Sequence, residues 1–338
     1  MATIGATLKT MADWGKEVDP DGNTAQIIEI LEQDNEILTE MLWKEGNLPT
    51  GEQTSVRTGY PAPTWRLLNE GTPNSKATSV QITEQVGMLT ARSQIDKDEA
   101  SLNGNTNSYR FNENVAHMEG MSQEMASTLF YGSAANPEEF VGFSNRYNDL
   151  GAANGQNILD AGGTGSNNSS IWFVGWGPRS VFGVFPKGSK AGLEHEDLGL
   201  GDAFDSNNFR FRAWMDDYSW KAGLAIKDWR FATRVANVDI PDLVGQTGSQ
   251  ASTAATAIIK MMSRSIDRLP RLTGVNTSFY CNRTVLSHLR IAALDKSNSV
   301  VTIEPALDQF GKTIHTMTFL GHPVRVTDAL TEAEARVV

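Results

Sequence analysis

The chain has 338 residues, which suggests about two domains at ~150 residues each. Its 29 Lys and Arg against 40 Asp and Glu leave a formal net charge of −11, which argues against a dedicated nucleic-acid binder with a basic face. With 40% hydrophobic and 20% charged residues, one cysteine (Cys281) and no apolar run of ~18 residues, it is not disordered, not spanned by a transmembrane helix, and not an internally disulfide-bonded or Cys-rich metal scaffold.

Met1-Ala2-Thr3-Ile4-Gly5 lacks the basic region and apolar core of a secretory signal. An extended arm then leads to a turn, Asp21-Gly22-Asn23-Thr24, with Gln26 placed as in a capping box. Ile27, Leu31, Leu38 and Leu42 recur at helical spacing, and Gly46 and Pro49 supply the stop. That amphipathic helix either faces the core with a solvated acidic side or lies against a neighbouring subunit. From 49 to 97 the pattern turns to β. Thr54–Thr58 and Thr78–Ile95 flank a stretch holding Gly59, Pro61, Pro63, Gly71 and Pro73, and the two flanks can pair as a long hairpin. Arms of about 22 residues would reach ~70 Å at ~3.3 Å per residue. A globule of this length is only roughly 50 Å across. Such a hairpin overhangs its own domain and exposes Trp65, Leu67 and Leu68, or else curls over its own core.

Next comes a helix capped by Asn107 or Ser108, with Phe111, Val115, Met118, Met125 and Leu129 on one face up to Gly132. Residues 132–170 read as loop. Strands follow at Ile171–Trp176, Val181–Phe185, Phe209–Trp214, Tyr218–Ile226 and Trp229–Ile240. Helices are expected at Ser249–Leu269 and at Arg283–Leu294, the latter capped by Asn282. Strands at Thr277–Cys281, Val300–Ile303, Thr313–Leu320 and Val324–Thr327 interleave with them. This mixed order argues for an α+β fold rather than a doubly wound sheet.

The chain carries no recognised catalytic motif. The glycine-rich pieces Gly175–Ser180, Pro186–Lys190 and Gly199–Phe204 lack phosphate-loop spacing. His195-Glu196-Asp197-Leu198-Gly199 opens like a zinc helix but has no second histidine. His117, His288, His315 and His322 make no ligand set, no Gly-x-Ser-x-Gly elbow occurs, and Cys281 reads as a buried, inert thiol. Asp216-Asp217 and Glu138-Glu139 read as solvated charges. A basic helix face, Lys260, Arg264 and Arg268 with Arg271 beyond, is interrupted by Asp267 and reads as a solvated or subunit-contact surface. No catalytic, cofactor-binding or metal residue is assigned, and no cofactor is expected.

Several segments together resemble the major capsid proteins of tailed double-stranded DNA bacteriophages, the Hong Kong 97-like shell fold, particularly those of short-tailed phages. They are Ala12-Asp13-Trp14, Val18–Gly22, Met41–Gly51, Thr64–Asn69, Ile171–Gly177, Phe185–Gly188 and the closing Phe319–Leu330, in that order. The resemblance implies an N-terminal arm (1–48), an extended loop lying over a neighbouring subunit (49–97), a mainly peripheral domain with a long spine helix and a β-rich insertion (98–274), and a mainly axial domain (275–338).

The function it implies is a non-enzymatic protein that self-assembles as pentamers and hexamers into an icosahedral head enclosing double-stranded DNA. The head is part of the virion and is built in the host bacterial cytoplasm. Implied partners are copies of the chain itself, a separate scaffolding protein, a portal protein, a decoration protein and DNA held by weak non-specific contact, with no membrane. The chain passes from Met1 directly into the arm, so no scaffolding segment is expected to be cleaved from it. Relatives return to the peripheral domain at their C-terminus; here residues 209–240 are expected to take that place. Lys76 is the one loop lysine able to join a covalent crosslink, and no partner for it is identifiable. Charged residues on the overhang, Arg57, Arg66, Glu70, Lys76 and Arg92, are the candidates for inter-subunit polar contacts. The alternatives are a bacterial nanocompartment shell of the same fold and, in a different class, an unrecognised hydrolase.

Overall fold

The computed structural model describes residues 33, 35–102, 105–205, 207–245, 249–294, 301–307 and 313–338, without the side chains of 249–255, 293–294, 301–307 and 313–316. In chain order the elements begin with α1 (Glu36–Glu40), β1 (Trp43–Glu45), β2 (Gly51–Gly59), β3 (Thr78–Gln85), β4 (Gly87–Asp96), α2 (Lys97–Ser101), α3 (Thr106–Tyr131) and α4 (Phe143–Arg146). They continue with β5 (Ile158–Asp160), β6 (Asn168–Trp176), β7 (Val181–Phe185), β8 (Leu193–Phe204), β9 (Arg210–Ile226) and β10 (Ala232–Asp239). The last group is α5 (Ile240–Gly245), α6 (Ser249–Arg268), β11 (Asn276–Cys281), α7 (Arg283–Leu294), β12 (Val301–Leu307), β13 (Thr313–Phe319) and β14 (His322–Val326). The α+β expectation holds. The chain divides into two compact units: Met88–Met125 with Gly192–Lys221, and Asp34–Gly87 with Ala126–Ala191 and Ala222–Val338.

In the larger unit the apolar run of β6 is buried along its whole length, as a strand covered on both faces requires. It pairs antiparallel with β10 on one side and β11 on the other, and the sheet continues through β14 and β13 to β12. β7 carries β1 on one edge and residues Gly223–Ile226 of β9 on the other. Aromatic rings fill the core: Phe173 stacks on Phe279 at 4.2 Å, and Trp172 meets Phe143 at 5.4 Å and Tyr147 at 5.8 Å. Beside Trp172 lies a buried ion pair, Arg234 to Glu334 at 2.9 Å, with side chains 4% and 5% exposed. Ser170 also donates to Glu334, and Arg234 reaches the Tyr147 carbonyl at 2.7 Å. A neutral replacement of such a pair can be harmless, but loss of one partner strands a charge at about 3–5 kcal/mol. The pair ties the last residues to the sheet, where Asn237 also brackets the backbone of Val337.

In the smaller unit β8 and β9 form a hairpin, with β4 beside β9. Ile95, Ala100, Tyr109 and Trp214 pack together. Asp216, buried in β9, accepts hydrogen bonds from Arg110 at 2.9 and 3.0 Å and from Asn114 at 3.1 Å, and contacts His195 at 2.9 Å. Burial pushes this carboxyl up, but the bonds from His195, Arg110 and Asn114 outweigh it and hold it below the ordinary carboxylate range. The reading of Asp216-Asp217 as solvated charges is therefore corrected. Adjacent strand residues point to opposite faces, so Asp217 turns the other way and pairs with Arg92 at 2.5 Å.

Several expectations change with this network. β9 is one strand of 17 residues rather than two, because its acidic middle is neutralised from the neighbouring elements. The sequence pattern assigns no element to the residues of β8. Its charges and glycines are poor strand formers, but an exposed hairpin edge tolerates them, with a register shift near Gly199. Phe111, expected on the core face of the long helix, is 64% exposed, because the buried line runs instead through Tyr109, the polar Asn114, Met121 and Met125. Asn105 rather than Asn107 or Ser108 caps that helix, accepting from the Ser108 amide at 3.2 Å. Residues 209–240 do not act as one block: 210–220 pair with β8, while 223–226 and β10 join the larger sheet. The helix expected to run to Leu42 ends at Glu40, and Trp43–Glu45 is a strand on β7. Its expected earlier positions, Ile27 and Leu31, fall outside the described residues.

Candidate assembly surface

The sequence-predicted hairpin exists, with shorter arms than expected. β2 and β3, of nine and eight residues, pair antiparallel from Gly51↔Gln85 to Gly59↔Thr78 as a separate two-stranded sheet. At ~3.3 Å per residue this reaches ~30 Å, and residues 60–77 extend it without regular structure. The strand run breaks at Val86, so β4 is not part of the arm.

The root of the hairpin is fixed by charge. Glu52 and Glu84 stand directly opposite one another in the register, where like charges repel. Each is neutralised separately. Lys227 reaches Glu52 at 2.6 Å and Lys44 at 3.9 Å, while the Asn47 amide donates to it at 2.9 Å. Arg146 grips Glu84 with two parallel bonds of 2.6 and 2.7 Å, the strong bidentate form. Burial raises the Glu52 carboxyl, but the bonds from Lys227 and the Asn47 amide prevail and hold it below its ordinary range. Gly51 sits at φ +150°, and a Cβ there would stand 1.9 Å from the Glu84 carbonyl oxygen, so no side chain fits.

The tip is open. Trp65 is fully exposed, Leu68 94% and Tyr60 84%, with Leu67 and Val80 also out in solvent. Local bonds shape it even so. The Glu70 amide donates to the Leu67 carbonyl at 3.2 Å, Glu70 Oε2 accepts from the Leu67 amide at 2.9 Å, and Arg66 donates to the Glu70 carbonyl at 2.9 Å. Asn69 takes the left-handed conformation this turn needs, at φ 68°. A built turn thus holds out a ribbon of large apolar side chains, an exposed patch of the kind that marks interaction surfaces.

Of the five candidate contact residues, the structure brings Arg66 and Glu70 together in that turn. Arg57 and Lys76 are exposed on the hairpin and form no ion pair among the described residues. Arg92 lies on β4, in the smaller unit, engaged with Asp217. Sequence reasoning missed the root clamp. Its glutamates were visible, but Arg146 lies 62 residues from Glu84 and no local pattern links them.

Among the described residues no group of three or more His, Cys, Asp or Glu could hold a metal, and no helix is long and apolar enough to cross a membrane. Burial pushes the Cys281 thiol up to about 12, which keeps it a thiol.

A search of curated proteins finds no match to the chain. A chain in the solved structure of bacteriophage Epsilon15 is similar at 28% identity, covering 100% of this chain and 99% of that one with a TM-score of 0.75. The bacteriophage JBD30 capsid is 10% identical over 88% of this chain and 91% of its own, with a TM-score of 0.45. The SrpI encapsulin of Synechococcus elongatus is 10% identical over 68% and 96%, with a TM-score of 0.42. A family model described as "Major capsid protein GP7" matches residues 19–338, a span that includes the hairpin and every described element. The chain belongs to the major capsid protein GP7 family, with the Hong Kong 97-like fold, and is a shell protein of a bacteriophage head.

Proposed function

We propose that copies of this chain assemble as pentamers and hexamers into an icosahedral head around double-stranded DNA, each copy laying its 60–77 loop over a neighbour. The observation that carries this reading is the hairpin: a root locked by ion pairs and a tip whose tryptophan and leucines have nothing to cover them. Head-to-tail contacts of this kind close into rings, and small adjustments at the contact let one sequence form both five- and six-membered rings. Arg57, Arg66, Glu70 and Lys76 are the polar contacts of the overhang, and Arg92 contributes from β4.

The four-part organisation belongs to the same proposal: arm 1–48, extended loop 49–97, mainly peripheral 98–274 and mainly axial 275–338. So do a separate scaffolding protein, a portal, a decoration protein and assembly in the host cytoplasm. The role is structural, with no reaction catalysed. Negative-stain microscopy of the expressed full chain tests the reading, and uniform closed shells are expected. A monomer that never forms large particles, or one that turns over a hydrolysable substrate, would count against it. Packaged DNA rather than a cargo enzyme separates a phage head from a nanocompartment.

A further inference from the structure

One charged surface has no use in the contacts above. α6 is amphipathic: Ile258, Ile259, Met262, Ile266 and Leu269 are buried, while Lys260, Arg264 and Arg268 are exposed. The three cations recur every fourth residue, a stripe ~12 Å long at ~1.5 Å per residue, and exposed Arg271 follows beyond the helix end. None of the four has an ion-pair partner among the described residues. Elsewhere Arg92, Arg110, Arg146, Arg234 and Arg325 are each matched to a carboxylate. A helix C-terminus favours cations, but only within its last turn, which accounts for Arg268 and not for Lys260 two turns earlier. Exposed Asp267 sits among them and takes one unit from the net charge.

We infer that this stripe faces the shell lumen and contacts the backbone phosphates of the enclosed double-stranded DNA, which rests on the capsid reading above. The chemistry fits one partner well. On each strand phosphates recur every ~3.4 Å of duplex axis, so ~12 Å of axis passes three or four of them. No aromatic side chain and no Asn or Gln stands in the stripe to read base edges, so the contact is independent of sequence. Asp267 keeps it weak, which suits a genome that is spooled in and must leave.

The test uses the full chain and its triple variant Lys260→Gln/Arg264→Gln/Arg268→Gln. Arg271 is left alone because its guanidinium lies over the Phe231 ring at 6.0 Å. Dissociated subunits are titrated with a short fluorescent DNA duplex across a salt series, and shells are imaged in parallel. Removing three phosphate contacts should lower the slope of log K against log salt by about 2.7, at ~0.9 per contact, and weaken binding at least tenfold at low salt. Asp267→Asn should tighten binding. Closed empty shells of the natural sequence should not bind added duplex, since the stripe is sealed inside. The inference is overturned by unchanged binding in the triple variant, by closed shells that bind outside duplex through these residues, or by a variant that loses assembly but keeps its DNA affinity. Failure of the natural sequence to form shells would instead sink the capsid reading.

Discussion

The two ends of the β2–β3 hairpin are built from the same strand pair and obey opposite rules. At the root every charge has an intramolecular partner: Glu52 with Lys227 and Lys44, Glu84 with Arg146. At the tip the side chains that would release most free energy on burial, Trp65 and Leu68, are in water. Folding completes the first and leaves the second open, to be covered on association in the proposed assembly. A loop anchored at one end and unsatisfied at the other costs little ordering entropy when it docks, because its turn is already formed by Glu70 and Arg66.

The strongest way to break this contrast is Trp65→Ala with Leu68→Ala. Two central apolar anchors are worth about 2 kcal/mol each, so association should weaken by about 4 kcal/mol, roughly a thousandfold. Sedimentation should show subunits in place of shells, with the urea midpoint of those subunits unmoved. A shifted midpoint would show that the tip already contributes to the fold. At the root, Glu52→Leu should do the reverse, costing about 3 kcal/mol of subunit stability in urea by leaving Lys227 facing an apolar side chain.

Acid sharpens the comparison. The folded-state pKa of Glu52 is depressed, so its stabilisation is fully present above the ordinary carboxylate value and is lost as pH falls below it. Hydrogen exchange at β2 and β3 should therefore quicken as pH drops through about 4.5 and below, after correction for the intrinsic rate, while residues 60–77 show no such added change. The smallest effect is expected from Arg57→Ala and Lys76→Ala, which should change the unfolding free energy of dissociated subunits, read from urea titration, by no more than about 0.5 kcal/mol. A larger shift would mean that these cations already have partners within the chain.

What could be read in the sequence follows how far each signal travels along the chain. β7 falls at Val181–Phe185 as expected, from an apolar run between turn residues. α7 runs Arg283–Leu294 under its Asn282 cap, which accepts from the Val285 amide at 2.8 Å. The hairpin was legible from composition, but composition and reach left open whether its tip overhangs or curls over its own core, and the exposure of Trp65 and Leu68 came only with the structure. β8 was not legible, because its residues argue against a strand and only its partner β9 makes it one. Asp216 misled for the same reason: what buries it is Arg110, Asn114 and His195, on two other elements. The root clamp was invisible until the fold brought Arg146 and Lys227 to the paired glutamates.

The exposure of Trp65 gives the molecule an optical consequence. Trp172 and Trp176 are buried, and a buried indole already emits in a dry environment. In the free subunit Trp65 emits from full contact with water, and in the proposed assembly a neighbour would cover it. Joining of subunits should therefore move the emission toward the blue with no added dye, and Trp65→Phe should shrink the shift while leaving an aromatic anchor in place. The difference between the two proteins would then report how many of the proposed loop contacts have closed.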